Sequence, residues 1–551
     1  LFWIMRILKF NKTRVHSFAQ TALFTVVLYL FHANQHAYTQ NNDLLQDWWL
    51  SDTETDGVAG VGFYKILKNL KPNTFSGKMI IAVLDTGTDT SHHTINPYLY
   101  VNTKEITGNG KDDDNNGYID DRHGWNFLGG PTGNLIHDTP EVVREYVRLS
   151  KKSKNPSNSL SNKEWAYFRE VSEKYERDKN GNKKKLEEYR QAHVQYQQIT
   201  GTLNTCKRIL ERELSGKNLS YRGIKELMPK TDSAQFAKAV LMQIMEATDT
   251  TLLIQETQNE LKQAEEDLGN LVRDYSIAVS LYDTTWRPRQ IIGDTENNEE
   301  KFYGNADVRD PTGHGTSVAG IMALLLQKLN EQGHRVPIKI LPVRIVPSAG
   351  DERDKDIANG IVYAVNQGAK IINLSFGKYY SPYPEVVQQA ILYGTEKDVL
   401  FVHAAGNEGI NIDSRSHFPL PPKQNLETAW IEVGASGPTL NETLAASFSN
   451  YGKKTVDLYA PGVDLYCPTL QNKFGYSQGT SLAAPVVSIC AALLWSYNTK
   501  FKALDVKDKL ISNTKKYKTQ VYIPKLKKHV PFNELSKSGG ILWLPGIFSK
   551  D

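Results

Sequence analysis

Five short apolar runs constrain the fold of this chain more than any other feature. They are KMIIAVLD at Lys78 to Asp85, IKILPVRIV at 338 to 346, AKIINLSF at 369 to 376, VLFVHAA at 399 to 405 and WIEVGAS at 430 to 436. Runs of this length, rich in β-branched residues and apolar throughout, read as strands buried on both faces. Helical patterns lie between the last four, and strand, helix, strand at this spacing implies parallel pairing through right-handed crossovers. The expected fold class is α/β: a doubly wound, mostly parallel sheet with helices on both faces. Such a sheet carries its functional loops beyond the carboxyl ends of its strands, and Asp85 stands at one of those ends.

Between residues 139 and 295 the texture changes. Gly and Pro thin out, and charged residues and Gln fill segments such as EWAYFREVSEKYERDK and LIQETQNELKQAEEDLGNLVRDY. Mixed charge on this scale reads as solvated faces of about three to five amphipathic helices. Ser161 with Glu164, and Asp232 with Gln235, have capping-box spacing, in which side chain and backbone satisfy each other at a helix start. The expected organisation is a charged helical insertion over 139–295 dividing a catalytic domain made of 45–138 and 296–551.

The first residues have the order of an export signal: a basic flank (Arg6, Lys9, Lys12, Arg14), an apolar run from Ala22 to Phe31, then a polar segment to Asn42. A helix needs roughly 20 apolar residues to span a bilayer, and this run is shorter, so residues 1–37 are expected to be a signal peptide. The protein is then expected to be secreted or periplasmic, with no stable membrane insertion once the signal is removed; an uncleaved anchor is the alternative. Lys+Arg 65 against Asp+Glu 61 leaves +4 on 551 residues, too weak a field to favour nucleic acid as partner. The three cysteines, Cys206, Cys467 and Cys490, have neither disulfide-scaffold nor zinc spacing.

Three motifs, each at an element end, carry the chemistry: AVLDTGTD around Asp85, GHGTSVAGI around His314, before the apolar helical pattern Val318 to Leu326, and GTSLAAPVV around Ser481. Each alone has ordinary structural explanations, since Asp, His and Ser are common at strand and helix ends. Together and in this order they resemble the subtilisin-like serine peptidase family. AAGNE at Ala404 to Glu408 and NLSFG at Asn373 to Gly377 extend the likeness, which covers roughly 45 to 135 and 300 to 500. The third motif has Leu482 where the family more often has Met, a swap that preserves volume.

The resemblance implies a serine endopeptidase acting on polypeptide through an Asp-His-Ser triad and an acyl-enzyme. A serine hydroxyl needs an imidazole to take its proton, so His314 is the expected base, Asp85 its orienting carboxylate and Ser481 the nucleophile. Asn407 falls where the family keeps its side-chain oxyanion donor. Asn373, Ser375 and Gly377 fall on the segment that pairs with substrate backbone, and Ala405 and Gly406 border the pocket for the residue before the scissile bond. A non-catalytic or zymogen-like relative that only binds polypeptide is the alternative, and four intact catalytic positions count against it.

The loop GNGKDDDNNGYIDD places Asp112, Asp114 and Asn116 at alternate positions before a Gly turn, with Tyr118 offering its carbonyl and Asp121 beyond. This follows the first half of an EF-hand loop but lacks its closing Glu, His123 standing there instead. So many carboxylates repel one another unless a cation joins them, and the family resemblance makes a structural calcium the expected cofactor. His92 and His93 lack further ligand spacing. His403, beside the oxyanion segment, is either pocket lining or core.

Overall fold

A computed structural model describes residues 46–71, 74–155, 160–214, 219–247, 254–294, 301–422 and 427–548. The expected signal peptide, residues 1–37, lies outside the described residues. The chain divides into two compact units, one containing Glu173–Asp283 and the other Leu44–Ser172 with Thr284–Asp551.

The larger unit is built on a nine-stranded sheet. Its first seven strands are β1 (Met79–Asp85), β2 (Trp125–Asn126), β3 (Ile338–Arg344), β4 (Ile371–Leu374), β5 (Leu400–Ala404), β6 (Trp430–Ser436) and β7 (Leu458–Pro461). The spatial order is β2, β3, β1, β4, β5, β6, β7, then Gly540–Leu542 and Thr514–Lys516. All pairs are parallel except the last, an antiparallel edge. β1 is an interior strand, third from the β2 edge, with Leu84 opposite Val343 on one side and Leu374 on the other.

The inner strands β4, β5, β6 and β7 are buried along their whole length, and β1 nearly so. Ile81 and Val83 of β1 join the core formed with the helices His314–Glu331 and Thr480–Tyr497. Ala82 and Leu84 join the opposite core, with Asp354–Asn366 and Pro384–Glu396. Period-two alternation puts successive side chains into different cores, so the run had to be apolar throughout. Burial of each such aliphatic side chain contributes roughly 1.5–3 kcal/mol. The helix Thr480–Tyr497 is the one described helix long and apolar enough to cross a bilayer, and 94% of that stretch is buried inside the protein. Its apolar surface is accounted for by the sheet.

Buried ion pairs fix the two points where the larger unit's chain departs toward, and returns from, residues 173–283. Asp138 accepts from Arg353 (2.9 Å) and Arg289 (3.2 Å), and Arg289 also bridges to Asp356 (2.8 Å). Lys378 pairs with Glu141 (2.6 Å) and Asp354 (2.8 Å). Burial alone would raise the Glu141 carboxyl, but Arg144 and Lys378 bring it down to about 2. A network this dry is stable only while every member keeps its partners.

The smaller unit is helical, with its own core of Tyr196, Leu203, Leu210, Leu241, Met245, Leu261 and Leu268. Asn162–Leu214, which runs into it from the larger unit, is a single helix of 53 residues. It is antiparallel to Ile254–Ser280, since Tyr175 bonds the Tyr282 carbonyl, Tyr189 packs on Tyr275, and Lys207 donates to Gln258. The Ser161–Glu164 box closes at the long helix's start, where Glu164 accepts from Ser161 N–H (2.9 Å) and Ser161 Oγ from Glu164 N–H (3.3 Å). The helix Asp232–Ala247 is capped one residue earlier than its sequence suggests: Thr231 Oγ1 accepts from Ala234 N–H (3.2 Å), and Asp232 is already helical.

Candidate active site

The strand order changes direction at β1, which has β3 on one side and β4 on the other. A crevice forms beyond the carboxyl ends at such a switch point, and the first and third motifs both arrive there. Asp85 ends β1 and is 1% exposed. One of its oxygens accepts from Thr86 N–H (2.7 Å) and lies 2.6 Å from His314 Nδ1. An acceptor-only carboxylate there fixes the proton on Nδ1 and leaves Nε2 as the basic edge. Desolvation alone would lower the imidazole pKa, but the Asp85 charge and hydrogen bond, with a smaller contribution from Asp310, raise it. The side chain stays 39% exposed, open to the cleft.

Asp310 is a site residue that the sequence reading missed. Buried between the two motifs, it accepts from Thr86 Oγ1 (2.9 Å) through one oxygen and from Thr316 N–H (2.9 Å) and Oγ1 (2.8 Å) through the other. Thr86 Oγ1 in turn accepts from Gly315 N–H (3.0 Å). These bonds tie the DTG and HGT segments together across 224 residues of chain. Gly315 has no alternative, because a Cβ would lie 2.0 Å from the Gly87 carbonyl oxygen. A signal existed in the DPTGHGT string, but nothing local distinguishes Asp310 from a turn carboxylate.

Ser481 opens the helix Thr480–Tyr497, and its carbonyl accepts from Ser375 Oγ (2.7 Å) at the end of β4. Because β4 pairs with β1, this puts Ser481 at the same carboxyl edge as Asp85. Among the described residues no hydrogen bond joins Ser481 Oγ to His314, and catalytic bonds of this kind often tighten only with substrate. Asn407 Oδ1 accepts from Thr480 N–H (2.9 Å) and Thr480 Oγ1 (3.0 Å). With its oxygen saturated, the Asn407 amide is oriented and its Nδ2 faces the other way. A point built off Gly479 lies 2.9 Å from Ser481 Oγ and 3.5 Å from Asn407 Nδ2, so nucleophile and donor border one space.

Asn373 is fully buried, donating to Ser375 Oγ (2.8 Å) and accepting from Ser488 Oγ (2.8 Å). Asn373 and Ser375 thus spend their side chains holding the serine helix, leaving backbone for a substrate strand. The space freed at Gly377 is taken by His417, since a Cβ there would lie 2.3 Å from its Cε1. Ala405 is buried, its carbonyl accepting from Asn450 Nδ2 (2.8 Å). Gly406 has φ +97 and donates to Thr480 Oγ1 (3.1 Å).

The acidic loop contains a group of three carboxylates. Glu105, absent from the sequence reading, gathers with Asp114 and Asp121 so that one oxygen of each lies within 4.8 Å of the others. Asp112 instead accepts from Asn116 N–H (3.0 Å) and Gly117 N–H (2.7 Å), and Asn116 Nδ2 donates to Asp121 (3.1 Å). The Tyr118 ring is buried against Trp125 and Tyr363. Burial, with Asp114 adding its charge, pushes the Asp121 carboxyl up to about 6 against the hydrogen bonds that lower it.

A family model for subtilases matches residues 76–528. The chain belongs to the subtilase family. It is similar to the cell wall-associated protease of Bacillus subtilis (strain 168), 38% identical over 241 residues that make up 43% of this chain and 25% of that protein. It is 31% identical to Subtilisin Savinase of Lederbergia lenta over 208 residues, 38% of this chain and 72% of that one. A solved cold adapted subtilisin-like serine proteinase aligns at 24% identity over 44% of this chain and 77% of its own, with a TM-score of 0.34. The chain spans a quarter of the Bacillus subtilis protease and 44% of a thermophilic serine proteinase from Bacillus sp. (strain AK1).

Proposed function

We propose that this subtilase is an exported serine endopeptidase that cleaves polypeptide through an acyl-enzyme. The observation that carries the reading is the 2.6 Å contact between His314 Nδ1 and Asp85 at the carboxyl edge of β1, where Ser481 also lies. In the proposed reaction Ser481 Oγ attacks the scissile carbonyl and passes its proton to His314 Nε2. Asp85 stabilises the imidazolium without taking the proton. The oxyanion accepts from Ser481 N–H and Asn407 Nδ2–H, donors set in place before charge develops. His314 then protonates the leaving amine, and water, deprotonated by the same imidazole, releases the acyl group from Ser481.

Calcium fits the loop on this structure's own terms. Asp114 Oδ1 is buried and makes no hydrogen bond among the described residues, and it belongs to the group with Glu105 and Asp121. An all-oxygen set suits a hard cation. Glu105, Asp114 and Asp121 would hold it, and it would supply charge neutralisation to a loop packed against Trp125 of β2 and Tyr363. The signal-like N-terminus supports export, and the cleft supports polypeptide as partner.

The test is fluorophosphonate labelling of the purified full chain beside Ser481→Ala, with and without a calcium chelator. Labelling of the parent alone, slowed by chelation, is expected. Folded, calcium-loaded parent that takes no label would refute catalysis and favour a polypeptide-binding relative.

A further inference from the structure

Behind the Phe376–Gly377 segment, His403 of β5, His417 and Glu432 of β6 meet in a cluster in which all three are buried. The triad and the calcium loop make no use of them. A doubly protonated His403 would donate to both Phe376 and Glu432 as a buried ion pair, whereas the neutral ring leaves the hydrogen bonding unbalanced. His403 Nε2 lies 2.9 Å from the Phe376 carbonyl oxygen, which only accepts, so Nε2 carries hydrogen. In the neutral ring His403 Nδ1 then turns a lone pair toward Glu432, whose two oxygens both lie 2.9 Å away. His417 Nδ1 is a second nitrogen facing the same carboxylate, 3.8 Å from Oε1, buried and without a hydrogen bond among the described residues. Three electron-pair donors converge on one point.

The surroundings hold these donors in place. Trp430 Nε1–H donates to Glu432 Oε2 (2.9 Å), and the Phe376 carbonyl fixes the His403 tautomer. Outer partners of this kind orient metal-binding imidazoles and carboxylates and set their basicity. Two imidazole nitrogens and one carboxylate oxygen form a donor set for zinc rather than for calcium or magnesium. Tetrahedral zinc with bonds near 2.0–2.1 Å places its ligand atoms ~3.3 Å apart. The observed separations of 2.9 and 3.8 Å bracket that spacing.

We propose that His403, His417 and Glu432 form a binding site for a zinc-class divalent cation in the wall of the substrate cleft. Three protein ligands leave one coordination position for water. The ion would act on the cleft through packing. A Cβ at Gly377 would lie 2.3 Å from His417 Cε1 and one at Gly406 3.0 Å from its Nε2, so the His417 ring packs against both glycines, sharing Gly406 with Asn450 and Glu408. His403 reaches Gly406 within three residues along β5 and the segment after it.

The experiment uses the full chain as Ser481→Ala, to prevent self-digestion, stripped with chelator and titrated with Zn2+ against a chromophoric competitor. One equivalent is expected to bind and raise the melting temperature, and Co2+ in its place should give the visible absorption of a four-coordinate ion. His417→Ala should weaken Zn2+ binding by more than about 100-fold and Trp430→Phe by about 10-fold, since outer-partner changes alone cost 10- to 100-fold. Parent protein that binds no Zn2+ would overturn the proposal and leave the trio a buried ion pair. Binding that neither variant weakens would overturn it too, assigning the ion to another site. Should His417→Ala fail to fold, the Co2+ spectrum of the parent and the Trp430→Phe titration decide.

Discussion

Replacing Asn407 by Ala tests the oxyanion geometry most directly. Two hydrogen bonds hold the amide, Thr480 N–H and Oγ1–H to Asn407 Oδ1 at 2.9 and 3.0 Å, and a third, Gly406 N–H to Thr480 Oγ1 at 3.1 Å, holds the hydroxyl. The first is a tertiary cap on the serine helix, so Asn407→Ala should lower stability by about 1 kcal/mol, the usual scale for a lost cap. The larger effect is on rate. Losing one preorganised donor costs on the order of 10²–10³ in kcat, about 2.7–4 kcal/mol, a range measured in subtilisin itself. The loss should appear in kcat with KM little changed, because the donor meets charge only in the transition state. Thr480→Val, which keeps the backbone bond and removes the hydroxyl, should fall between parent and Asn407→Ala. The assay is steady-state cleavage of a labelled casein, paired with second-order fluorophosphonate inactivation, which develops the same oxyanion. A drop in kcat smaller than about 10-fold, or a rise in KM with kcat retained, would refute the assignment of Nδ2 as an oxyanion donor.

Because Asp85 raises the His314 pKa, the base stays protonated to higher pH, so kcat/KM should rise with pH through a limb above the ordinary 6.5; Asp85→Asn should shift that limb down while lowering the rate, and an unmoved limb would argue against the contact. Arg289 is 1% exposed and serves Asp138, Asp294 and Asp356, so Arg289→Ala should destabilise the larger unit by about 3–5 kcal/mol in denaturant unfolding, with less than 1 kcal/mol refuting the network's role. Glu141, held near 2 in the fold against an ordinary 4.5, should contribute stability that is complete above pH 4.5 and lost on acidification toward 2; a Glu141→Gln variant whose acid unfolding curve overlays the parent's would contradict this. Gly377→Ala forces a Cβ onto the His417 ring and should lower turnover of casein, and an unaffected variant would show that the ring moves freely.

The fold class was legible in the sequence alone, and so were the residue types proposed for the site. Short apolar runs such as MIIAVLD, bounded by turn residues, read as strands covered on both faces, and DTG, HGTSVAG and GTSLAAP stand at element ends, so Asp85, His314, Ser481 and Asn407 could be proposed as site residues from neighbours a few residues away. Local pattern did not reveal which side chains meet across elements. Asp310 reaches Thr86 over 224 residues, Glu105 joins Asp114 and Asp121, and the Asn373 side chain accepts from Ser488 on the serine helix. His403 meets Glu432 because β5 pairs with β6 in a register that sets the two opposite each other. Periodicity fixes what an element is and which face it buries, whereas meetings of this kind depend on strand order and register, which are settled only when the whole sheet packs.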